Sequence, residues 1–532
     1  MAIVFGKGKK MRANKITGSK ENENTMIEFH RYFMDLWGDS KPLMKLFRTE
    51  TRGYLYDTGT NRIFSCSDIE FDLLHNLMTM DIGEALDKTR SSCSPDEILD
   101  ALNGIKSMIE EKNILKTKRS FRFGGAHFNK LEEFILNRLE MIQLEVTERC
   151  NLRCAYCVYN PHFTEKRNYG TRDMSQETAF KAIDHLARSS RFQKRVALIF
   201  YGGEPLLCFP LIKSCVQYAR SVMPKKDLSF SITTNATLIT PSIASFFSEE
   251  GFGVHVSIDG PEYIHDKYRR DANGVGSFQR TISGLRMLFD AYGDKKDNIT
   301  LSMVYAPPYS DEKINKIAEL WDKYPWLPQK IGHNITYPQG FHPLSTSSQT
   351  NINNKRDYSL IEWVKKRFSE DYQKGYQPRP IASSIVEKEM ARLVQRKIFS
   401  EPPEIYYLNG CCVPSARKQF VSVDGTLMLC ERVGMAPEIG DIETGIDVEK
   451  VKKIYVEDYA RESFPFCSEC WAVQICSLCY VHTFYKGRID IELKKRHCSA
   501  MQERTLKFLI LYCQLLEVNE NGLDYLKEWQ LI

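Results

Sequence analysis

Three cysteines, Cys150, Cys154 and Cys157, fall within eight residues in the stretch "ERCNLRCAYCVYN", and no fourth stands beside them. Thiolate is the soft donor that zinc and iron–sulfur clusters take. Three thiolates are one short of a closed tetrahedral site. On spacing alone two chemistries stay open. One is a zinc ion completed by a distant fourth ligand; the other is an iron–sulfur cubane with one iron left open. An amino acid's amine and carboxylate can chelate such an open corner.

A second cysteine field lies toward the other end. Cys412 is followed by Gly425-x4-Cys430, then by Cys467-x2-Cys470-x5-Cys476-x2-Cys479, and finally by Cys498. Paired C-x2-C units invite a zinc-ribbon reading, but ribbons separate their pairs by about 15–20 residues. Cys66, Cys93, Cys208, Cys215 and Cys513 are scattered and read as small core residues.

The elements that would position the first trio alternate. Strand-like apolar runs begin near 141, 196, 228, 253, 299 and 329, with helical patterns between them. Ala179, Ile183 and Leu186 make one helical stripe, and Ile282, Leu285 and Phe289 another. Six β-α units in succession predict a parallel sheet, either doubly wound or closing toward a barrel. Ligands bind such sheets at the C-terminal ends of the strands. There the first strand runs into Cys150, the second into Gly202-Gly203-Glu204-Pro205, the third into Thr233-Thr234-Asn235 and the fourth into Ser257-Ile258-Asp259-Gly260. Glycines at 202 and 203 allow close backbone approach of a ligand. Glu204 can accept a hydrogen bond from a bound ammonium.

Composition bounds the partners. The 532 residues suggest two to four domains, and 42% hydrophobic residues suffice for several cores. Lysine plus arginine (73) nearly cancels aspartate plus glutamate (68), which argues against nucleic acid. The apolar N-terminal start is too short for a signal peptide, and no run of about 18 apolar residues predicts a membrane span. A cytoplasmic chain is expected, with its cysteines reduced.

The trio, as Cys150-x3-Cys154-Ala155-Tyr156-Cys157, resembles the signature of the radical S-adenosylmethionine (SAM) superfamily. The resemblance covers roughly 141–340 and implies an α/β fold, a partial (β/α)6 barrel. It implies that Cys150, Cys154 and Cys157 hold a [4Fe–4S] cluster. Gly202, Gly203 and Glu204 would serve the SAM amino group, Asn235 and Ser257 its ribose and carboxylate, and Tyr156 its adenine; Arg269 would reach the carboxylate. The implied reaction is reductive cleavage of SAM to a 5′-deoxyadenosyl radical that takes hydrogen from substrate.

The second field resembles the SPASM extension of peptide-modifying radical SAM enzymes, which holds two auxiliary [4Fe–4S] clusters. Family logic gives one cluster Cys467, Cys470, Cys476 and Cys498, and the other Cys412, Cys430 and Cys479. The last gap of the quartet departs from the family's x3, being x2 here. Residues 411–498 hold eight cysteines, as two closed cubanes need, but Cys411 and Cys412 are neighbours, whose side chains point apart in an extended segment. With Cys412 alone as ligand, one auxiliary iron stays open for a substrate thiolate. Glu431 follows the Gly425-x4-Cys430 cysteine, where sulfatase-maturing relatives place a catalytic base.

The remaining segments read as a flexible tail (1–26), a winged-helix-like module (27–118), the barrel (135–340), an insertion and bridging helices (341–405), and a cysteine-rich domain with a C-terminal helix (406–532). In the second segment a hairpin turns at Asp57-Thr58-Gly59, and Ser94-Pro95 starts a helix as N-cap and first residue. This module resembles the recognition element of ribosomal-peptide maturases, which takes a precursor's leader by strand addition. The edge around Tyr54–Ile63 is the candidate. "FVSVDGTLMLCERVG" resembles maturases that install thioether cross-links. The expected partners are a precursor peptide, leader and core, and a one-electron donor such as flavodoxin or ferredoxin. Alternatives are an anaerobic sulfatase-maturing enzyme, a carbon–carbon cross-linking or epimerising maturase, and a non-catalytic metal-binding scaffold.

Overall fold

The computed structural model describes residues 3–4, 19–38, 40–90, 93–116, 121–157, 159, 169–327, 332–336, 359–375, 380–432 and 436–529. The polar stretch 342–357 lies outside the described residues.

Four strands and four helices open the chain. They are β1 (Ile3–Val4), α1 (Ser19–Trp37), β2 (Met44–Arg48), β3 (Gly53–Asp57), β4 (Arg62–Cys66), α2 (Asp68–Thr79), α3 (Ile82–Arg90) and α4 (Pro95–Lys112). Residues 19–26, read from sequence as tail, are the first turns of α1. Ser67 with Glu70 and Ser94 with Glu97 form capping boxes, and Pro95 takes the first turn of α4. The hairpin turns where expected. Asp57 fixes the turn by accepting from the Thr60 amide (2.7 Å) and hydroxyl (2.6 Å), and it ties α4 down by accepting from the Leu115 amide (2.9 Å). Phe33, Leu55, Phe64, Leu74, Leu102 and Ile105 centre a separate core in this unit.

The strand order is β1-β4-β3-β2, so β3 is interior and the outer side of β4 carries β1, with Ile3 opposite Ile63. This corrects the sequence reading: the Tyr54–Ile63 edge is closed, and Tyr54, Tyr56 and Ile63 are buried in the main core. The fully paired hairpin leaves β2 as the outer strand on the far side.

After β5 (Arg122–Gly124) come β6 (Met141–Thr147), β7 (Arg195–Gly202), β8 (Asp227–Thr234), β9 (Gly253–Ser257), β10 (Ile299–Val304) and β11 (Gly332–Thr336). These six are parallel and pair in chain order with no reversal, so the sheet is a partial barrel and not a doubly wound one. The helices between bury the expected stripes, among them Ala179, Ile183, Leu186, Ile282, Leu285 and Phe289.

The C-terminal region extends this sheet. β12 (Ile405–Tyr407) pairs with β5 in a separate two-stranded sheet, whereas β13 (Lys418–Val421), β14 (Thr426–Met428), β15 (Gly440–Asp441) and β16 (Gly445–Ile446) continue the barrel sheet, and β17 (Phe484–Tyr485) with β18 (Arg488–Ile489) forms a further hairpin. β13 joins β6 in parallel, Lys418 opposite Met141, and β14 returns antiparallel. The tight turn between them needs Gly425, whose φ is +91° and whose missing Cβ would meet Ile442 at 2.8 Å. Helices Ser359–Gln373 and Pro380–Val394 bridge to the long helix Ile491–Val518. Among the described residues no helix is long and apolar enough to cross a membrane.

Candidate active site and metal centres

The C-terminal rim of the barrel gathers the polar strand ends. Cys150, Cys154 and Cys157 occupy the loop after β6, packed with Leu152, Tyr156 and Ala306. Burial pushes the Cys150 and Cys154 thiols up to about 12, and each also feels the neighbouring thiols. A thiolate buried here is stabilised only by a positive partner, which a metal cation would supply. The loop is braced from outside the barrel. The Arg153 amide donates to the Arg270 carbonyl (2.6 Å) and the Ala155 amide to the Tyr268 carbonyl (3.0 Å). The segment 265–278 is thus the wall against which the cysteine loop is laid.

Gly202 and Gly203 also meet a packing need. A Cβ on Gly202 would stand 2.2 Å from the Thr147 carbonyl oxygen, and one on Gly203 would stand 2.1 Å from that of Arg149. The Gly203 amide donates to Thr147 and the Glu204 amide to Arg149, both at 2.9 Å. The glycines let the end of β7 lie directly on the backbone entering the cysteine loop.

Glu204 is fully buried and accepts from the Thr234 hydroxyl (2.7 Å), the Asn235 amide (2.8 Å) and the Leu206 amide (3.2 Å). Burial raises its carboxyl to about 7. Its partners make it a staple between the ends of β7 and β8. Asn235 continues the network, donating from Nδ2 to Asn151 Oδ1 at 2.9 Å and accepting from the Thr237 hydroxyl at 2.6 Å. Ser257 closes β9, in register with Ser302.

Tyr156 points inward and donates its hydroxyl to Asp259. Arg269 meets the same carboxylate through Nε (2.9 Å) and Nη2 (3.1 Å), and lies 5.5 Å over the Tyr156 ring. Two of its nitrogens are therefore committed to Asp259. Burial alone would raise the Asp259 carboxyl, but the Arg269 charge and hydrogen bonds hold it below the ordinary range. Asp259 also accepts from the Val304 amide (2.9 Å), which links strands β9 and β10.

The second field divides into two groups. Cys470, Cys476 and Cys498 pack together on Ala472, Leu478 and Met501, and Cys467 feels the charges of Cys470 and Cys498. Cys479 and Cys412 face one another near Cys411. Cys411 is buried, its thiol against the Tyr459 hydroxyl (3.4 Å) and the Leu478 carbonyl (3.7 Å), whereas Cys412 is exposed. His127 pins this pair of residues, its Nε2 3.1 Å from both carbonyl oxygens. Cys430 follows β14 and borders the main core. Among the described residues no three Cys, His, Asp or Glu side chains converge at single-ion distance. A cubane, whose ligands bind separate irons, does not require that convergence.

Residues 144–320 match the family profile described as the radical SAM superfamily. Over those residues the barrel is similar to the radical SAM fold. An uncharacterised protein of Methanocaldococcus jannaschii is 37% identical over 154 residues, 29% of this chain and 50% of that protein. A cysteine-type anaerobic sulfatase-maturating enzyme of Clostridium novyi is 32% identical over 158 residues, 29% of this chain and 41% of that enzyme. The chain thus spans half or less of the length of these relatives. A solved structure, native anSMEcpe with bound AdoMet, superposes with a TM-score of 0.55 at 19% identity, covering 72% of this chain and 99% of that one.

Around the barrel rim, sequence reasoning did not single out Asn151, Thr237 or His265, and named Asp259 only as part of a polar strand end. His265 is fully buried; its Nδ1 accepts from the Asp259 amide (3.4 Å), and its Nε2 donates to Ser277 Oγ (3.0 Å), which donates to the Arg269 carbonyl (2.8 Å). Burial, helped by the Arg269 charge, lowers its pKa from 6.5 to about 3. The folded-state value is depressed. The stability tied to a neutral His265 is therefore complete above about pH 6.5 and is lost as pH falls toward 3, by about 1.4 kcal/mol per pH unit. Urea unfolding at pH 8, 6 and 5 is expected to show wild type weakening relative to H265Q; parallel profiles would contradict this.

Glu431 is brought to Lys418, 2.6 Å away, and to Arg432 at 3.7 Å. Burial opposes its charge, but Lys418 and Arg432 win and hold the carboxylate ionised. It can accept a proton only at the expense of that ion pair.

Proposed function

We propose that this chain is a radical SAM enzyme that modifies a ribosomally made precursor peptide, forming a cysteine sulfur-to-carbon thioether. The carrying observation is the buried three-thiol loop on the barrel rim, backed by Glu204 and Asn235 at the ends of the next two strands. The donor set fits a [4Fe–4S] cluster held by Cys150, Cys154 and Cys157. When bound, that cluster supplies the electron that splits SAM and releases the hydrogen-abstracting 5′-deoxyadenosyl radical. The protein's share is positioning. Gly202 and Gly203 press the second strand end onto the cysteine loop, Glu204 staples it to the third, and Arg269 with Asp259 fixes Tyr156. Ser257, at the end of β9, is assigned with Asn235 to the ribose and carboxylate of SAM.

The C-terminal thiols fit auxiliary [4Fe–4S] clusters, one held by Cys467, Cys470, Cys476 and Cys498 and one by Cys412, Cys430 and Cys479. Exposure of Cys412 and inward packing of Cys411 support Cys412 as the ligand. Lys494 supports a net negative group there. It is 2% exposed, donates to the Ser463 hydroxyl, lies 3.9 Å over the Tyr459 ring, and its charge acts on Cys411, Cys467 and Cys498. Among the described residues Lys494 forms no ion pair with a carboxylate, and a buried cationic side chain calls for a counter-charge. In K494M the auxiliary midpoint potential is expected to fall, as read by potentiometric electron paramagnetic resonance; an unchanged potential would contradict the pairing.

Formylglycine formation is the second reading, favoured by the sulfatase-maturating relative, with Glu431 as the base. The separate core of the N-terminal unit supports the peptide reading. Anaerobic incubation with SAM, reductant and a cysteine-bearing precursor peptide, followed by mass spectrometry, separates them. A loss of two hydrogens with a cysteine resistant to alkylation supports the thioether. Conversion of cysteine to an aldehyde supports the alternative, and no 5′-deoxyadenosine rejects both.

A further inference from the structure

A large cavity lies away from the rim. Arg138, Glu140, Gln193 and Arg417 line it, and all four precede the first residues of β6, β7 and β13, so it sits at the opposite end of the barrel from Cys150. Its volume is about 1010 Å³, a figure that includes the space beside Cys412 and Cys476 that the proposed auxiliary clusters would take. Cys411, Cys412 and Cys476 form part of its wall.

The lining is strongly basic. Seven lysines and arginines face two glutamates, Glu140 and Glu389. Both acids are engaged, Glu140 with Arg417 at 3.5 Å and Glu389 with Arg392 at 3.4 Å and Arg504 at 2.8 Å, and two of the cations pair with acids outside the lining, Arg138 with Glu133 at 3.0 Å and Arg432 with Glu431 at 3.7 Å. Lys397 leans on the rings of Phe399 (5.0 Å) and Tyr407 (5.4 Å). Lys388 is exposed to the cavity and forms no ion pair among the described residues; partial desolvation and the charges of Arg392, Arg432 and Arg504 lower its pKa, against Glu389, which raises it. Concentrating like charges in a concave wall costs stability unless an anion is to be received, and low-dielectric walls focus the field on it. Phe134, Phe399, Tyr407 and Phe508 add apolar wall between the charges.

We propose that this cavity seats an acidic segment of the peptide substrate, its carboxylates facing Lys388, Arg392 and Arg432 and its apolar side chains the four aromatic rings. A crevice between the N-terminal hairpin turn at Asn61, the bridging helix and the cysteine loops admits an extended chain better than the convex face of a folded electron carrier. The identity of the segment as substrate rests on the peptide-modifying reading; the anionic character of the ligand does not.

The test is fluorescence anisotropy on the reconstituted full chain with a fluorescein-labelled, glutamate-rich octapeptide containing leucine and phenylalanine. Its glutamine counterpart is the neutral probe. The acidic peptide is expected to bind, and the neutral one to bind at least tenfold more weakly. K388E/R392E is expected to lose at least tenfold in affinity and K388Q/R392Q several-fold. K295E/K296E, the same charge change in the exposed turn 293–298, is expected to lose nothing. Retained affinity in K388E/R392E would overturn the proposal, as would equal losses in the remote variant. A loss of flavodoxin-driven reduction in K388E/R392E, with peptide affinity intact, would give the cavity to the carrier and overturn it as well. Parallel measurement of 5′-deoxyadenosine in wild type keeps the readings apart. Peptide binding without SAM cleavage rejects the reaction class alone, and SAM cleavage without peptide binding rejects the cavity's role alone.

Discussion

Replacing Cys150, Cys154 and Cys157 together by alanine is expected to abolish 5′-deoxyadenosine formation while the C-terminal cysteines keep their iron. With the three cubanes of the proposed function, iron per chain should fall by about a third. The reason is local. The trio lies in one loop after β6 with Tyr156 packed between its members, remote in sequence from the second field at 411–498. Liquid chromatography of the reaction and iron analysis of the same sample check both halves. Retained SAM cleavage would remove the loop from the chemistry. Loss of all iron would mean that the two fields are not independent.

The other large effect is on stability. Asp259→Ala is expected to cost about 3–5 kcal/mol, because it leaves a buried guanidinium without its partner. Asp259 is 1% exposed and the Arg269 side chain 9%, so water cannot replace the lost carboxylate. Tyr156 and the Val304 amide lose their acceptor in the same step. Removing both charges, as D259L/R269M, should cost less than D259A alone, since no uncompensated charge remains. Denaturant unfolding of the three proteins measures this. Equal destabilisation by the single and double changes would show that shape, and not the charge pair, is what the site needs.

Much of the architecture was legible because its signals are local. Six apolar runs separated by helical stripes define a β-α succession, and Ser94-Pro95 and Asp57-Thr58-Gly59 carry the chemistry of a helix start and a turn in adjacent residues. The cysteine spacings are local too. What could not be read depends on partners far apart in the chain. β13 is only four residues long, and its place beside β6 is set by tertiary packing across 277 positions, Lys418 to Met141. Ile3 and Val4 close the β4 edge from the start of the chain, so the hairpin looks like an open docking strand until they are placed.

The rim shows the same limit at the scale of single residues. Gly202 and Gly203 read from sequence as room left for a ligand; the fold adds that the Thr147 and Arg149 carbonyls lie where their Cβ atoms would be. Arg269 looks like a free cation near a carboxylate-binding site. Only the fold reveals that Asp259, ten residues earlier, holds it and shares Tyr156 with it. His265 carries no motif, and its part in bracing the cysteine loop emerges from a chain of hydrogen bonds through Ser277 to Arg269.

The central claim is that the iron–sulfur cluster at Cys150, Cys154 and Cys157 offers an iron that no side chain caps. Electron–nuclear double resonance of the reduced protein with SAM labelled with nitrogen-15 at its amino group tests it most directly. A hyperfine coupling from that nitrogen is the predicted result. Its absence, with the cluster present and SAM bound, would contradict the account.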